Sequence, residues 1–180
     1  MIRRHHTQPR GPRGFTLTEL MLVVVLIGVV GGVAVNLMPS IWRRDRLTAT
    51  AVELQGWLEE IARVPERSGS SCLVTVQTGS RAVGSALATV SPSSCSPQPT
   101  LLVPASLGQG PLQVQATPSS WSFTPRGAVD LGAPLQIRLL LGGQPPLRCL
   151  QVGAALGLLQ LGGAESSTDL SQHCPVPAEV

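Results

Sequence analysis

The chain has 180 residues, with thirteen Lys plus Arg against ten Asp plus Glu and a pI near 9.0. All the basic residues are arginine, and Arg3, Arg4, Arg10 and Arg13 precede Gly14, so nine arginines face ten acids in the remainder; the pI is therefore no argument for a nucleic-acid partner. Few aromatics and many Gly and Pro suit short strands and turns better than a helical bundle, and the length beyond the N-terminal region is enough for one domain with a core but not comfortably two.

The first element in chain order is an apolar run. From Leu20 to Met38 the only conventional polar residue is Asn36, and at helical rise the run covers about 28 Å, enough to cross a bilayer core. Basic residues before such a run hold that end in the cytoplasm by the positive-inside rule, so everything after Met38 is expected outside it. A cleaved secretory signal would be shorter and end in small residues of the A-x-A kind. This run instead continues through Gly28, Gly31 and Gly32 to Pro39, and is expected to stay. The glycines suit close helix packing.

After Pro39 the pattern becomes amphipathic. Leu47, Ala51, Leu54, Leu58 and Ile61 recur at steps of three and four, with Arg43, Arg44, Arg46, Glu53, Glu59, Glu60 and Arg63 opposite. This predicts a helix over 40–65 docked on the rest of the chain, stopped by Pro65 and Ser68-Gly69-Ser70. Residues 70–180 lose helical periodicity. Strands are predicted at Cys72–Gln77, Ala82–Val90, Leu112–Ala116, Trp121–Thr124, Leu135–Leu141, Arg148–Gly153 and Leu158–Leu161. Ser91 to Pro99 reads as a proline-rich loop, and Glu165 to Val180 as an irregular tail. The fold class is therefore α+β: a long N-terminal helix, membrane-spanning in its first half and amphipathic in its second, packed on a small antiparallel β-rich head.

All four cysteines, Cys72, Cys95, Cys149 and Cys174, follow the apolar run, and an even number outside the cytoplasm favours two disulfides. Three pairings are open. Sequence order favours Cys72 with Cys95 and Cys149 with Cys174, because each closes a loop of moderate length. No CxxC pair occurs, and His173 beside Cys174 is too little for a metal site, so no metal and no cofactor are expected.

The N-terminal octet Arg13-Gly14-Phe15-Thr16-Leu17-Thr18-Glu19-Leu20 resembles the class III signal of type IV prepilins and type II secretion pseudopilins. The resemblance divides the chain into a leader at 1–14, a hydrophobic helix at 15–39, its amphipathic continuation at 40–65 and a head at 70–180. It implies cleavage between Gly14 and Phe15 by a membrane prepilin peptidase, N-methylation of Phe15, and assembly with other pilin-like subunits from the inner membrane, with the head in the periplasm. Charge in hydrocarbon is expensive and is retained where a partner exists. In a staggered stack of such helices, Glu19 of one subunit could neutralise the Phe15 amine of the next and so select one axial register. The bland alternative is that Glu19 marks the lipid–water boundary.

Further along, Trp121 to Gly127, Leu135 to Leu139 and Arg148 to Val152 resemble the head of the minor subunits grouped as GspH/FimT. Some members of that group look like DNA receptors, with basic residues in a Gly-Arg-x-Arg pattern after the last glycine turn. Here the matching place reads Gly157-Leu158-Leu159-Gln160. DNA binding is thus possible but not favoured, and Arg126, Arg138 and Arg148 are expected to be solvated turn and strand charges. A lone membrane-anchored periplasmic domain is the remaining alternative. An enzyme is not expected: Asp130, Glu165, Asp169 and His173 form no catalytic spacing, and no nucleophile elbow, P-loop or dinucleotide fingerprint occurs.

Overall fold

A computed structural model describes residues 14–108, 110–126, 135–153 and 159–171, without the side chains of 33–37. The chain divides at Pro39 into two units, Met1–Pro39 and Ser40–Val180. One helix, α1 (Leu17–Ser68), runs through the first unit and opens the second.

In the first unit the apolar side chains from Leu20 to Val30 are exposed. Nothing polar interrupts them, so the backbone's own hydrogen bonds are the only polar pairing the segment needs. Among the described residues no helix is long and apolar enough to cross a membrane. The side chains described in this run end at Gly32 and resume at Met38.

The second unit is built on the amphipathic stripe. Leu47, Ala51, Leu54, Leu58 and Ile61 are fully buried, joined by Trp57 and Thr50. The buried hydroxyl of Thr50 donates to Arg46 O at 3.0 Å, which satisfies it without a partner from another element. Pro65 does not stop the helix. It removes one backbone donor, but the last turn closes beyond it: Gly69, at φ 68°, donates its N–H to Pro65 O at 2.9 Å, a left-handed cap only glycine enters freely.

Nine strands follow: β1 (Cys72–Val76), β2 (Gly79–Arg81), β3 (Ala86–Ser91), β4 (Thr100–Leu102), β5 (Leu112–Thr117), β6 (Ser120–Phe123), β7 (Leu135–Leu141), β8 (Gln144–Val152) and β9 (Leu159–Ala164), counted among the described residues. They form two sheets, ordered β4-β3-β1-β6 and β2-β5-β7-β8-β9, and every pairing is antiparallel. The expected α+β architecture, a helix followed by antiparallel sheets, is thus present. The inner faces meet the helix stripe. Val74 stands opposite Val90 and Trp121, and Cys72 opposite Phe123, in the first sheet. Leu112 faces Leu141, Val114 faces Leu139 and Ile137 faces Leu150 in the second. All of these belong to one buried cluster with Leu47, Leu54 and Leu58.

Several strand boundaries differ from the sequence reading. The expected strand Ala82–Val90 begins only at Ala86, because 82–85 form a turn in which Ser85 N–H and Oγ both bond Ala82 O, at 3.1 and 2.6 Å, with Gly84 at φ 79°. The turn carries the chain from one sheet to the other, so β2 pairs with β5 while β3 pairs with β1. β4 lies in a stretch where no strand was expected. β8 starts at Gln144 rather than Arg148, because Gly142 and Gly143, at φ 62° and 68°, make a two-residue hairpin turn directly out of β7. Pro145 and Pro146 are tolerated there since β9 pairs only from Leu147 onward.

Cys72 and Cys95 are joined, S–S 1.99 Å, tying the start of β1 to the short 3-10 turn Ser93–Cys95. Cys149 is also disulfide-bonded. Its expected partner, Cys174, lies outside the described residues, as do most of the expected tail and the segment around Asp130. The Ser91-to-Pro99 loop is held further by Trp57 Nε1, which donates to Gln98 O at 2.9 Å. A Cys72→Ser/Cys95→Ser chain should lose about 2–4 kcal/mol of stability, read as a lower thermal midpoint than the oxidised wild type.

Arg138 and Arg148 are corrections: neither is a solvated strand charge. Arg138 is 8 % exposed and Arg148 7 %. Arg148 donates from Nε to Thr48 Oγ1 and from Nη1 to Glu165 Oε1, both at 2.9 Å, while Arg44 lies 3.5 Å from the same carboxylate. Strand β8 is thereby clasped to α1. The clasp needs Gly163, where a Cβ would stand 2.7 Å from Arg148 Nη1 and 2.8 Å from Leu147 O. Because the second obstacle is backbone, Gly163→Ala should destabilise the head by about 1–3 kcal/mol, measured by thermal unfolding. Arg138 donates from Nη2 to Gln136 Oε1 at 2.6 Å on the opposite face of the sheet.

Candidate functional site at the start of the helix

Gly14, Phe15 and Thr16 precede α1 in non-helical backbone, and Leu17 is its first residue. The helix therefore starts with four unpaired N–H groups. Thr16 and Glu19 satisfy part of that deficit reciprocally. Glu19 N–H donates to Thr16 Oγ1 at 3.3 Å, and Thr16 N–H donates back to Glu19 Oε2 at 2.9 Å. The Thr16 hydroxyl also donates to Glu19 Oε2 at 3.0 Å. This is a capping box, with Thr16 at the cap position and Glu19 at the third helical residue. An acid in the first turn also sits well with the positive end of the helix dipole.

The box gives Glu19 a local occupation that the sequence analysis did not consider. Its signal was readable: Thr-x-x-Glu before an apolar run is the signature of such a cap. The donors to the Glu19 carboxylate lie three residues back, on Thr16. Both groups remain exposed, so the carboxylate is still open to a second partner.

Gly14 has the opposite character. Nothing lies within 4 Å of where its Cβ would be, and its φ is not in the left-handed range. The fold places no demand for glycine there. Phe15 beside it is 85 % exposed among the described residues. A glycine the described fold does not require, next to an exposed aromatic, is what an external binding cleft would explain.

The head brings together fewer of the expected residues. Arg126 is exposed on the turn after β6, whereas Arg138 and Arg148 are buried and on opposite faces of one sheet. Leu159 and Gln160 lie in β9, and Gly157 and Leu158 fall outside the described residues. Glu165 is engaged by Arg148 and Arg44. Asp169 accepts from Ser171 Oγ at 2.6 Å and Ser171 N–H at 2.8 Å, and these bonds hold its carboxyl below the usual range, with the charge of Arg138 helping. No group of three His, Cys, Asp or Glu able to hold a metal occurs among the described residues. His173 and Asp130 lie outside them.

Residues 9–35 match the prokaryotic N-terminal methylation motif. The match covers the Gly14–Phe15 junction, Thr16, Glu19 and most of the apolar run, and none of the sheets. It indicates a type IV pilin-like protein. No curated protein and no solved structure matches the chain.

Proposed function

We propose that this chain is a minor subunit of a type IV pilus or a type II secretion pseudopilus, cut between Gly14 and Phe15 and carried in the inner membrane by residues 15–39 before it assembles. The observation that carries the reading is the methylation-motif match over residues 9–35, set on a glycine that its own fold does not require. The apolar run would leave lipid for a filament core in which neighbouring helices replace acyl chains. Its three glycines permit that close approach. Methylation of Phe15 keeps its amine charged, so Glu19 retains a possible partner on the next subunit. The head, GspH/FimT-like in its strand motifs, would cap, prime or decorate the filament through surface contacts, with no catalytic step.

Binding of DNA by the head is the weaker alternative. Burial of Arg138 and Arg148 removes two cations from the surface that would have to neutralise phosphates, leaving Arg126 as the exposed one of the three. Affinity purification of the full-length chain from its own cells tests the choice. Co-purification of other pilin-like subunits is expected. Salt-sensitive retention of duplex DNA without such subunits would favour the receptor reading, and neither result would leave a lone anchored domain.

A further inference from the structure

The second unit contains a cleft of about 340 Å³ lined by Arg43, Gly110, Pro111, Leu141, Gly142 and Gln144. It lies where α1 passes the hairpin turn between β7 and β8. Three arginines crowd this stretch of helix, and two of them are engaged. Arg44 pairs with Glu165 at 3.5 Å. Arg46 reaches Leu107 O and stacks 5.6 Å from the centroid of Trp42. It also fills the space that a side chain at Gly108 would need. Arg43 is half-buried and makes no hydrogen bond or ion pair among the described residues.

Among the described residues no carboxylate lines the cleft. Asp45 is two positions further along the helix and so does not share Arg43's side of it. The available groups are a guanidinium fork and the Gln144 carboxamide, both able to donate, set against the exposed ring of Pro111, with Leu141 buried beneath. A second cleft, lined by Gly56, Glu59, Glu60, Arg63, Val64 and Arg67, mixes both signs of charge and offers no such bias.

We infer that the Arg43 cleft binds a phosphate group, carried by a phospholipid headgroup of the membrane into which the preceding residues insert. A planar guanidinium recognises phosphate through paired charge-assisted bonds, and the Pro111 ring beside it can lie against the glycerol portion of a lipid. Arg43 follows Met38, the end of the apolar run, by roughly a turn and a half of helix, the distance at which headgroups lie. The choice of a lipid over free phosphate rests on the membrane placement proposed above; the recognition of phosphate does not.

The test uses the full-length chain in an uncharged detergent. Native mass spectrometry compares retention of phosphatidylglycerol with that of diacylglycerol of the same tails, and calorimetry titrates inorganic phosphate. Wild type should prefer the phospholipid, Arg43→Gln should weaken its retention about tenfold, and Arg63→Gln in the other cleft should behave as wild type. Saturable inorganic phosphate binding lost in Arg43→Gln, without lipid preference, would keep the phosphate site and overturn its lipid source. Equal lipid retention by wild type and Arg43→Gln, together with no Arg43-dependent phosphate binding, would overturn the inference altogether. Alkaline extraction of membranes from the same cells separates the two proposals. A wild-type chain that washes off counts against the membrane placement and leaves the phosphate titration to decide, whereas an embedded chain with an inert Arg43 sinks only the cleft.

Discussion

Cells making Gly14→Val are expected to accumulate the uncut 180-residue chain, with the leader still attached and Phe15 unmethylated, while wild type yields a mature chain beginning at methylated Phe15. The substitution should leave the fold alone, since an added side chain at 14 meets nothing within 4 Å and the backbone is not in a glycine-only region. This makes it an unusually clean probe: lost processing could not be blamed on misfolding. The measurement is the N-terminal peptide mass from membranes, and the effect should be close to all or none. A wild-type mature N-terminus anywhere other than Phe15 would sink the processing scheme, whatever the variant does.

The second large effect concerns Glu19, for which structure and sequence suggest different duties. In the capping box its carboxylate accepts from Thr16, and losing such a cap costs about 1 kcal/mol of helix stability. In the register mechanism its charge neutralises a neighbour's Phe15 amine. Two substitutions separate these roles. Glu19→Gln keeps a side chain that can still close the box, but removes the charge. Thr16→Val removes the hydroxyl and keeps the charge. If register is set by charge, Glu19→Gln should be processed normally yet enter filaments at about a tenth of the wild-type level or less, since a pair worth about 1.4 kcal/mol already corresponds to tenfold. Thr16→Val should assemble nearly as well as wild type. Filament fractions probed with antibody to the head give the readout. The reverse ranking, with Glu19→Gln assembling and Thr16→Val failing, would reduce Glu19 to a helix cap.

Much of the fold was legible because its patterns are local. The stripe Leu47, Ala51, Leu54, Leu58, Ile61 marks a helix face by spacing alone, and all five residues are fully buried. β7 was legible to the residue, since Leu135 to Leu141 is a continuous β-favouring run between turn signals. The helix end was misjudged by a few residues because a proline in the last turn forfeits one hydrogen bond without forbidding the next, and Gly69 offers a better stop. Ala82 to Val90 was legible only from Ala86 onward. Its composition suits a strand throughout, but residues 82–85 form the turn at Gly84 that links β2, paired in one sheet, to β3, paired in the other. At the candidate site, the motif was visible and the cap was overlooked, although both are written in the same few residues.

The composition and order of the residues were sufficient for the outline: an apolar helical run behind a basic N-terminal stretch, an amphipathic continuation, a β-rich remainder, and cysteines confined to the chain beyond the apolar run. These follow from periodicity and charge, which act between neighbours along the chain. Tertiary structure decided what depends on residues far apart in sequence. It buried Arg148 by bringing Thr48 and Glu165 to it and by leaving Gly163 bare, and it made Arg138 an interior residue rather than a surface charge. Among the described residues it also left Arg43 without a partner beside two arginines that have one. A charge's availability is set by what folding places next to it, because desolvation and pairing act through space.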